Sequence, residues 1–251
     1  MGRARAADCG VALAPLTYLA HLERAAADVA GRLESGDLDA PVPGCPGWTL
    51  TDLAHHLGGI HRWARIAVVE GPSDERTVDA PSDRAALVDW FRAGASALTE
   101  TLRATDPATP CWTFGPRPRS AAFWFRRQAH ETVMHAHDAA ASQGAAGPLD
   151  PELALDGVDE VVTMFFPRQV RLGRTAPLTE SLALAPAEGG QWLLPGDDDP
   201  TSGTAPAATV SGPAEAVLLL LWHRIALDDP RLRVSGSRSA ADAVLGAALT
   251  P

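Results

Sequence analysis

Apolar positions recur at helical spacing in four long stretches of the first half of the chain. Leu16, Leu19, Leu22, Ala26, Val29 and Leu33 follow Pro15 on one face, and Gly36 ends the run. After a loop stiffened by Pro41, Pro43, Pro46 and two glycines, Thr49 with Asp52 reads as a capping box opening a helix to about Val69. Its inward stripe is Leu53, His56, Leu57, Ile60 and Ala64, with His55 on a more exposed flank. The polar stretch Glu70–Asp83 leads to a third helix marked by Leu87, Phe91, Ala95, Leu98 and Leu102, stopped at Asp106-Pro107. A fourth is expected from near Ser120 to about Ser142. Four amphipathic helices with a few apolar positions per two turns predict a four-helix bundle over residues 10–145, after a loose N-terminal tail.

Beyond a linker at Gly144–Asp150 the period changes. Leu155–Phe166 reads as a helix stopped by Pro167. Ser181–Ala185 alternates as a strand, Gly189-Gly190 turns, and Gln191–Leu194 returns. Asp197–Pro200 begins a loop, and Ala208–Val210 is a third strand. Ser211, with Pro213 in the first turn, is expected to cap an apolar helix to about Leu227. Arg233–Ser235 is a short strand, and Ser239 with Asp242 caps a last helix. Residues 150–251 therefore form a small α+β domain.

Charge and cysteine content narrow the function classes. The formal net charge is -10, with all positive charge on arginine, which disfavours a nucleic-acid partner. The three cysteines, Cys9, Cys45 and Cys111, are far apart and form no CxxC pair, so neither a zinc ribbon nor a disulfide framework is expected. The longest apolar run, Ala216–Trp222, is too short to cross a bilayer, and the first residues lack the apolar core of a signal peptide. A cytoplasmic protein acting on a small molecule, as a monomer or homodimer without membrane attachment, is the expectation.

Chemistry concentrates in two stretches, Asp52–His61 and Arg126–Asp138. Glu131 and His135 are four residues apart, so a helix stacks them on one face. With His56 from the second helix they make a two-His, one-carboxylate set that leaves a position open on a zinc ion. The same residues are also compatible with ordinary helix side chains satisfied by hydrogen bonds. Asp138 can orient His135 from behind, or be a solvated charge, and Arg127 can pair with Glu131. His130 and His137 are expected at the rim or in solvent, His61 as a pocket wall or exposed group, and His21 as structural. Trp48, Trp63, Trp90 and Trp124 are expected to fill the core, and Cys45 to pack as a small residue. Arg224 either caps the end of an apolar helix or binds an anionic substrate. No phosphate loop, dinucleotide fingerprint or serine nucleophile elbow is present.

Val42–Thr49 followed by Asp52–Leu57 resembles the entry to the second helix in the mycothiol-dependent maleylpyruvate isomerase family, which belongs to the DinB-like metalloenzymes. Arg127, Glu131, His135 and Asp138 resemble that family's fourth-helix pattern, and Gly212–Arg224 is similar to its C-terminal domain. The resemblance implies a DinB-like four-helix bundle followed by a sterol-carrier-like α+β domain. It implies a divalent metal, usually zinc, on His56, Glu131 and His135, and Arg224 as a catalytic arginine. It further implies mycothiol or another small thiol as cosubstrate, attacking an electrophile for S-transfer or cis–trans isomerisation. The alternatives are a hydrolase or lyase using metal-bound water, and a non-catalytic protein binding a small ligand. This chain departs from the family pattern at His137, where Trp is frequent, and at His223, where Gly is frequent.

Overall fold

The structure, a computed structural model, describes residues 12–72, 79–194 and 205–251. The loop expected at Asp197–Pro200, most of the expected N-terminal tail and the middle of the Glu70–Asp83 connection lie outside these residues. The chain divides into two compact units, one of them Leu13–Leu149 and the other built on Asp150–Pro251.

The first unit is the four-helix bundle. Helix α1, Pro15–Ser35, has proline in its first turn and closes at Gly36, whose N–H donates to the Arg32 carbonyl at 2.7 Å. Arg84 completes that end, donating to the carbonyls of Leu33 and Gly36 at 2.6 and 2.9 Å. Helix α2, Leu50–Val69, starts on the expected reciprocal cap: Asp52 N–H donates to Thr49 Oγ1 at 3.2 Å, and Thr49 N–H to Asp52 Oδ2 at 2.8 Å. Asp83 caps helix α3, Arg84–Ala104, and helix α4 is Ala122–Ser142. Helix α1 packs on α3 and α4, and α2 does the same from the other side. Leu33, Leu50, Leu53, Leu57, Leu87 and Phe91 lie in the shared core. Leu16, in the first turn, is 71% exposed and lies outside it.

Helix α2 approaches α3 closely at Gly58. There Arg62 lies over the Trp90 ring, its guanidinium carbon 3.9 Å from the ring centroid, and donates to the carbonyls of Gly58 and Trp90. A Cβ on Gly58 would overlap the Trp90 ring.

The second unit carries a four-stranded sheet. Helix α5, Pro151–Glu160, is capped by Asp150 and runs into a π-helical turn, Val161–Phe165, then helix α6, Phe166–Arg171. Pro167 therefore does not stop the helix as expected. It sits in the first turn of α6, where its missing N–H is not needed, and the wider turn before it absorbs the change. Strands β1, Leu182–Pro186, and β2, Trp192–Leu194, form an antiparallel hairpin through Gly189 and Gly190, both at positive φ. Strand β3, Ala208–Gly212, is parallel to β1, and β4, Arg233–Gly236, is antiparallel to β3, giving the order β2-β1-β3-β4. Helix α7, Ala214–Leu221, packs on α5 and on β1 and β3.

Three helix ends in this unit differ from expectation. Ser211 belongs to β3 rather than capping α7, whose N-cap is Pro213. Helix α7 stops at Leu221 because His223 takes a left-handed conformation, φ 57°, which lets the N–H of Arg224 reach the Leu219 carbonyl at 2.8 Å. The apolar pattern continues to Leu227, but the backbone has already turned. The last helix, α8, Arg238–Leu245, is capped by Ser237 rather than Ser239, with Ala240 N–H donating to Ser237 Oγ at 3.2 Å.

Gly58→Ala tests the close approach of α2 and α3. In an open helix alanine is favoured over glycine by about 1 kcal/mol. Here the variant is expected to lower stability by about 1–3 kcal/mol through overpacking against Trp90, measured by urea unfolding. A neutral or stabilising effect would show that the seam has slack.

Candidate functional site

The site joins α2, α4 and the loop before α2. His56 projects from α2, and Arg127, Glu131, His135 and Asp138 project from one side of α4, their spacing of three and four residues setting them in a row. His56 Nε2 lies 3.3 Å from Glu131 Oε1, and His135 Nε2 lies 3.5 Å from the same oxygen. Arg127, 3% exposed, donates to the other oxygen, Oε2, at 2.7 Å. On the far side of the His135 ring, Nδ1 lies 3.1 Å from Asp138 Oδ2. That oxygen also accepts from the Cys45 thiol at 3.6 Å.

Electrostatics follow from this row of contacts. Burial alone would raise the Glu131 carboxyl, but hydrogen bonds from His135 and His56 and the charge of Arg127 outweigh it and hold the group well below its ordinary range. Burial likewise works against a charged His135, but Asp138, Cys45 and Glu131 outweigh it and raise the imidazole well above its ordinary range. Glu131 and Asp138 thus face the two nitrogen edges of the His135 ring.

The donor chemistry fits a divalent cation. His56, Glu131 and His135 each offer one ligand atom, all within 4.8 Å of one another. Two donors about 2.0–2.1 Å from one tetrahedral ion lie about 3.3 Å apart. The observed 3.3 and 3.5 Å separations match that edge. A second trio, Cys45, His135 and Asp138, is equally close-set but uses the opposite ring nitrogen of His135.

The remaining histidines separate from this group. His55 Nε2 contacts the Pro81 carbonyl at 3.2 Å, away from Glu131. His61, expected at a wall or in solvent, is fully buried, with Nε2 at 2.9 Å from Thr132 Oγ1 and its ring beside Phe91. The physical reason is that α2 is covered by α3 and α4 together, so more than one stripe of it is inside. His130, expected at the rim, is also buried, edge-on to Tyr18. His137 is half-buried. His21 is buried with Nδ1 accepting from Arg24 at 3.0 Å. Arg224, in the second unit, donates through Nη1 to the Trp222 carbonyl at 2.7 Å, at the C-terminal end of α7.

Residues 19–140 match the family model of the mycothiol maleylpyruvate isomerase N-terminal domain, and residues 152–243 match the C-terminal domain model of the same family. The chain belongs to the mycothiol-dependent maleylpyruvate isomerase family. An uncharacterized protein of Mycobacterium tuberculosis, Rv0738, is 26% identical over 146 residues, covering 57% of this chain and 74% of its own. Two solved structures share the fold. A crystal structure of the mycothiol-dependent maleylpyruvate isomerase superimposes with a TM-score of 0.62 at 16% identity, covering 89% of this chain and 93% of its own. A histidine-to-alanine mutant of that enzyme gives 0.59 at 15%, covering 83% and 88%. Among the described residues no helix is long and apolar enough to cross a membrane. His223 occupies the left-handed position ending α7, a conformation that favours glycine.

Two residues of the site escaped the sequence reading. Trp48, expected in the core, is half-buried with its ring centroid 4.8 Å from that of His56 and 6.2 Å from that of His135. Cys45, expected as packing alone, reaches Asp138. The signal that pointed to them was their place in the loop directly before the Thr49 cap.

His61, buried in the bundle beside the site's helices, carries a pH signature. Burial is the main cause pushing its imidazole down to about 3, with Arg62 adding to it and Glu131 opposing. The unfolded chain takes up a proton on this group below about pH 6.5, whereas the folded chain does not until about pH 3. Stability is therefore lost as pH falls through that window, by about 1.4 kcal/mol per unit from this group, or about 2 kcal/mol between pH 6.5 and 5. In His61→Gln the fall over the same interval is expected to be shallower by that amount, measured by denaturant unfolding at each pH. An unchanged slope would show that His61 does become charged in the folded protein.

Proposed function

We propose that this chain is a thiol-dependent isomerase that holds a divalent cation, zinc by its donor set, on His56, Glu131 and His135. The observation that carries the reading is the spacing of these three donors around the Glu131 Oε1 atom. Two nitrogens and one carboxylate oxygen suit zinc and leave a fourth position for a small ligand. When bound, the cation supplies positive charge that lowers the proton affinity of a thiol placed there. Family membership supports mycothiol as that thiol.

The chain's own residues do the preparation. Asp138 Oδ2 lies 3.1 Å from His135 Nδ1, so that edge of the ring is taken and Nε2 is the nitrogen that would be offered to a cation. Arg127 occupies Glu131 Oε2, which leaves Oε1 as the ligating oxygen and offsets the cost of burying a carboxylate. In the reaction, the thiolate adds to a carbon–carbon double bond conjugated to a carbonyl, and the electron pair moves onto that carbonyl. Rotation about the resulting single bond and reversal of the addition return the thiolate and the isomerised product. If the enolate is instead reprotonated at carbon, balancing the proton given up by the thiol, and the adduct is released, the outcome is S-transfer. Arg224, whose Nη1 donates to the Trp222 carbonyl at 2.7 Å, stays in this reading the active-site arginine that the family resemblance implies.

The purified protein is expected to carry about one divalent ion per chain, given a three-ligand site. His135→Ala is expected to lose it, His56→Ala to hold it only weakly through the two remaining ligands, and Asp138→Asn to weaken it about 10–100-fold. With a small thiol and a cis-configured unsaturated keto acid, turnover is expected to require both thiol and metal. Metal-free wild-type protein, or turnover without thiol, would overturn the assignment.

A further inference from the structure

We propose that Trp48 is the positioning residue of His56, doing for that ring what Asp138 does for His135. This rests on the metal reading above. His135 has its ring set by Asp138 at Nδ1, leaving Nε2 for a cation. His56 differs: its hydrogen bond to Glu131 uses Nε2, the same atom that would ligate. Once a cation takes Nε2, that bond no longer orients the ring, and orientation falls to packing.

The packing surface is the Trp48 indole, 4.8 Å from the His56 ring at an interplanar angle of 51°. The same indole is stacked at 24° against His135, and the two imidazoles are 5.1 Å apart. One side chain thus touches ligands from two different helices. The loop holds the indole rigidly. Val42 N–H donates to the Trp48 carbonyl at 2.9 Å, Cys45 N–H to the Val42 carbonyl at 3.0 Å, and Trp48 N–H to the Cys45 carbonyl at 3.0 Å. Gly47, at φ 86°, permits the turn, and Pro41 bridges Thr49 at its base. Trp48 is followed directly by the capped start of α2, so the indole and His56 ride on one rigid segment.

The test is cobalt affinity of the apoprotein in a double-mutant cycle with His56→Ala. Trp48→Leu is expected to weaken cobalt binding about 10–100-fold, the range for groups that orient a ligand, and Trp48→Phe, which keeps an aromatic face, about threefold on the same scale. In the His56→Ala background either Trp48 change is expected to cost clearly less, the remainder reflecting its contact with His135. Wild-type affinity in both Trp48 variants, or equal losses with and without His56, overturns the inference while leaving the metal reading intact. Absence of cobalt binding by the wild-type protein overturns both. Should Trp48→Leu not fold, the Phe cycle alone decides: its loss must be smaller in the His56→Ala background than in the wild type.

Discussion

The Glu131 carboxylate is the junction on which this bundle's chemistry depends. One oxygen faces two imidazoles, from α2 and from α4, and the other is held by a buried arginine one turn away. A carboxylate this enclosed is costly to ionise unless donors surround it. Here they do, and burial loses to hydrogen bonding and charge. The consequence is structural as well as chemical: α2 and α4 are tied at the level where a cation would sit, and the donors are pre-spaced before one arrives. A cation held there would compete with a proton for His135, which would link metal affinity to pH.

Around that junction the contacts divide by task. Arg127 and Asp138 come from α4 itself and set the carboxylate oxygen and imidazole nitrogen that face inward. Trp48 and Cys45 come from the loop, one on the imidazole faces and the other on the Asp138 oxygen. The loop's rigidity derives from its prolines, its turn hydrogen bonds and the reciprocal Thr49–Asp52 cap. A helix cap is worth only about 1 kcal/mol, yet this one also sets where a site tryptophan stands.

Much of this was legible in the sequence for plain physical reasons. The bundle helices announced themselves through long apolar stripes and strong caps, and their ends fall within about two residues of expectation, inside the usual fraying of helix ends. His56, Glu131 and His135 come together because helical spacing stacks Glu131 on His135 and places His56 on an inward stripe. The misses have equally specific causes. Pro167 looked like a stop because a π-helical turn leaves no sequence signature. Ser211 and Ser239 looked like caps because serine is favoured there, but Pro213 and Ser237 hold those positions. His61 looked peripheral because a single stripe was assumed for a helix that two neighbours cover. Trp48 looked like filler because ring contacts across helices are not encoded in spacing along one.

X-ray absorption at the metal edge of the protein as isolated tests the central claim most directly. A cation held by His56, Glu131 and His135 predicts a first shell of nitrogen and oxygen only, at about 2.0–2.2 Å, with imidazole scattering beyond it. A sulfur at about 2.3 Å in that resting shell would move the cation to the Cys45 side of His135 and contradict the account.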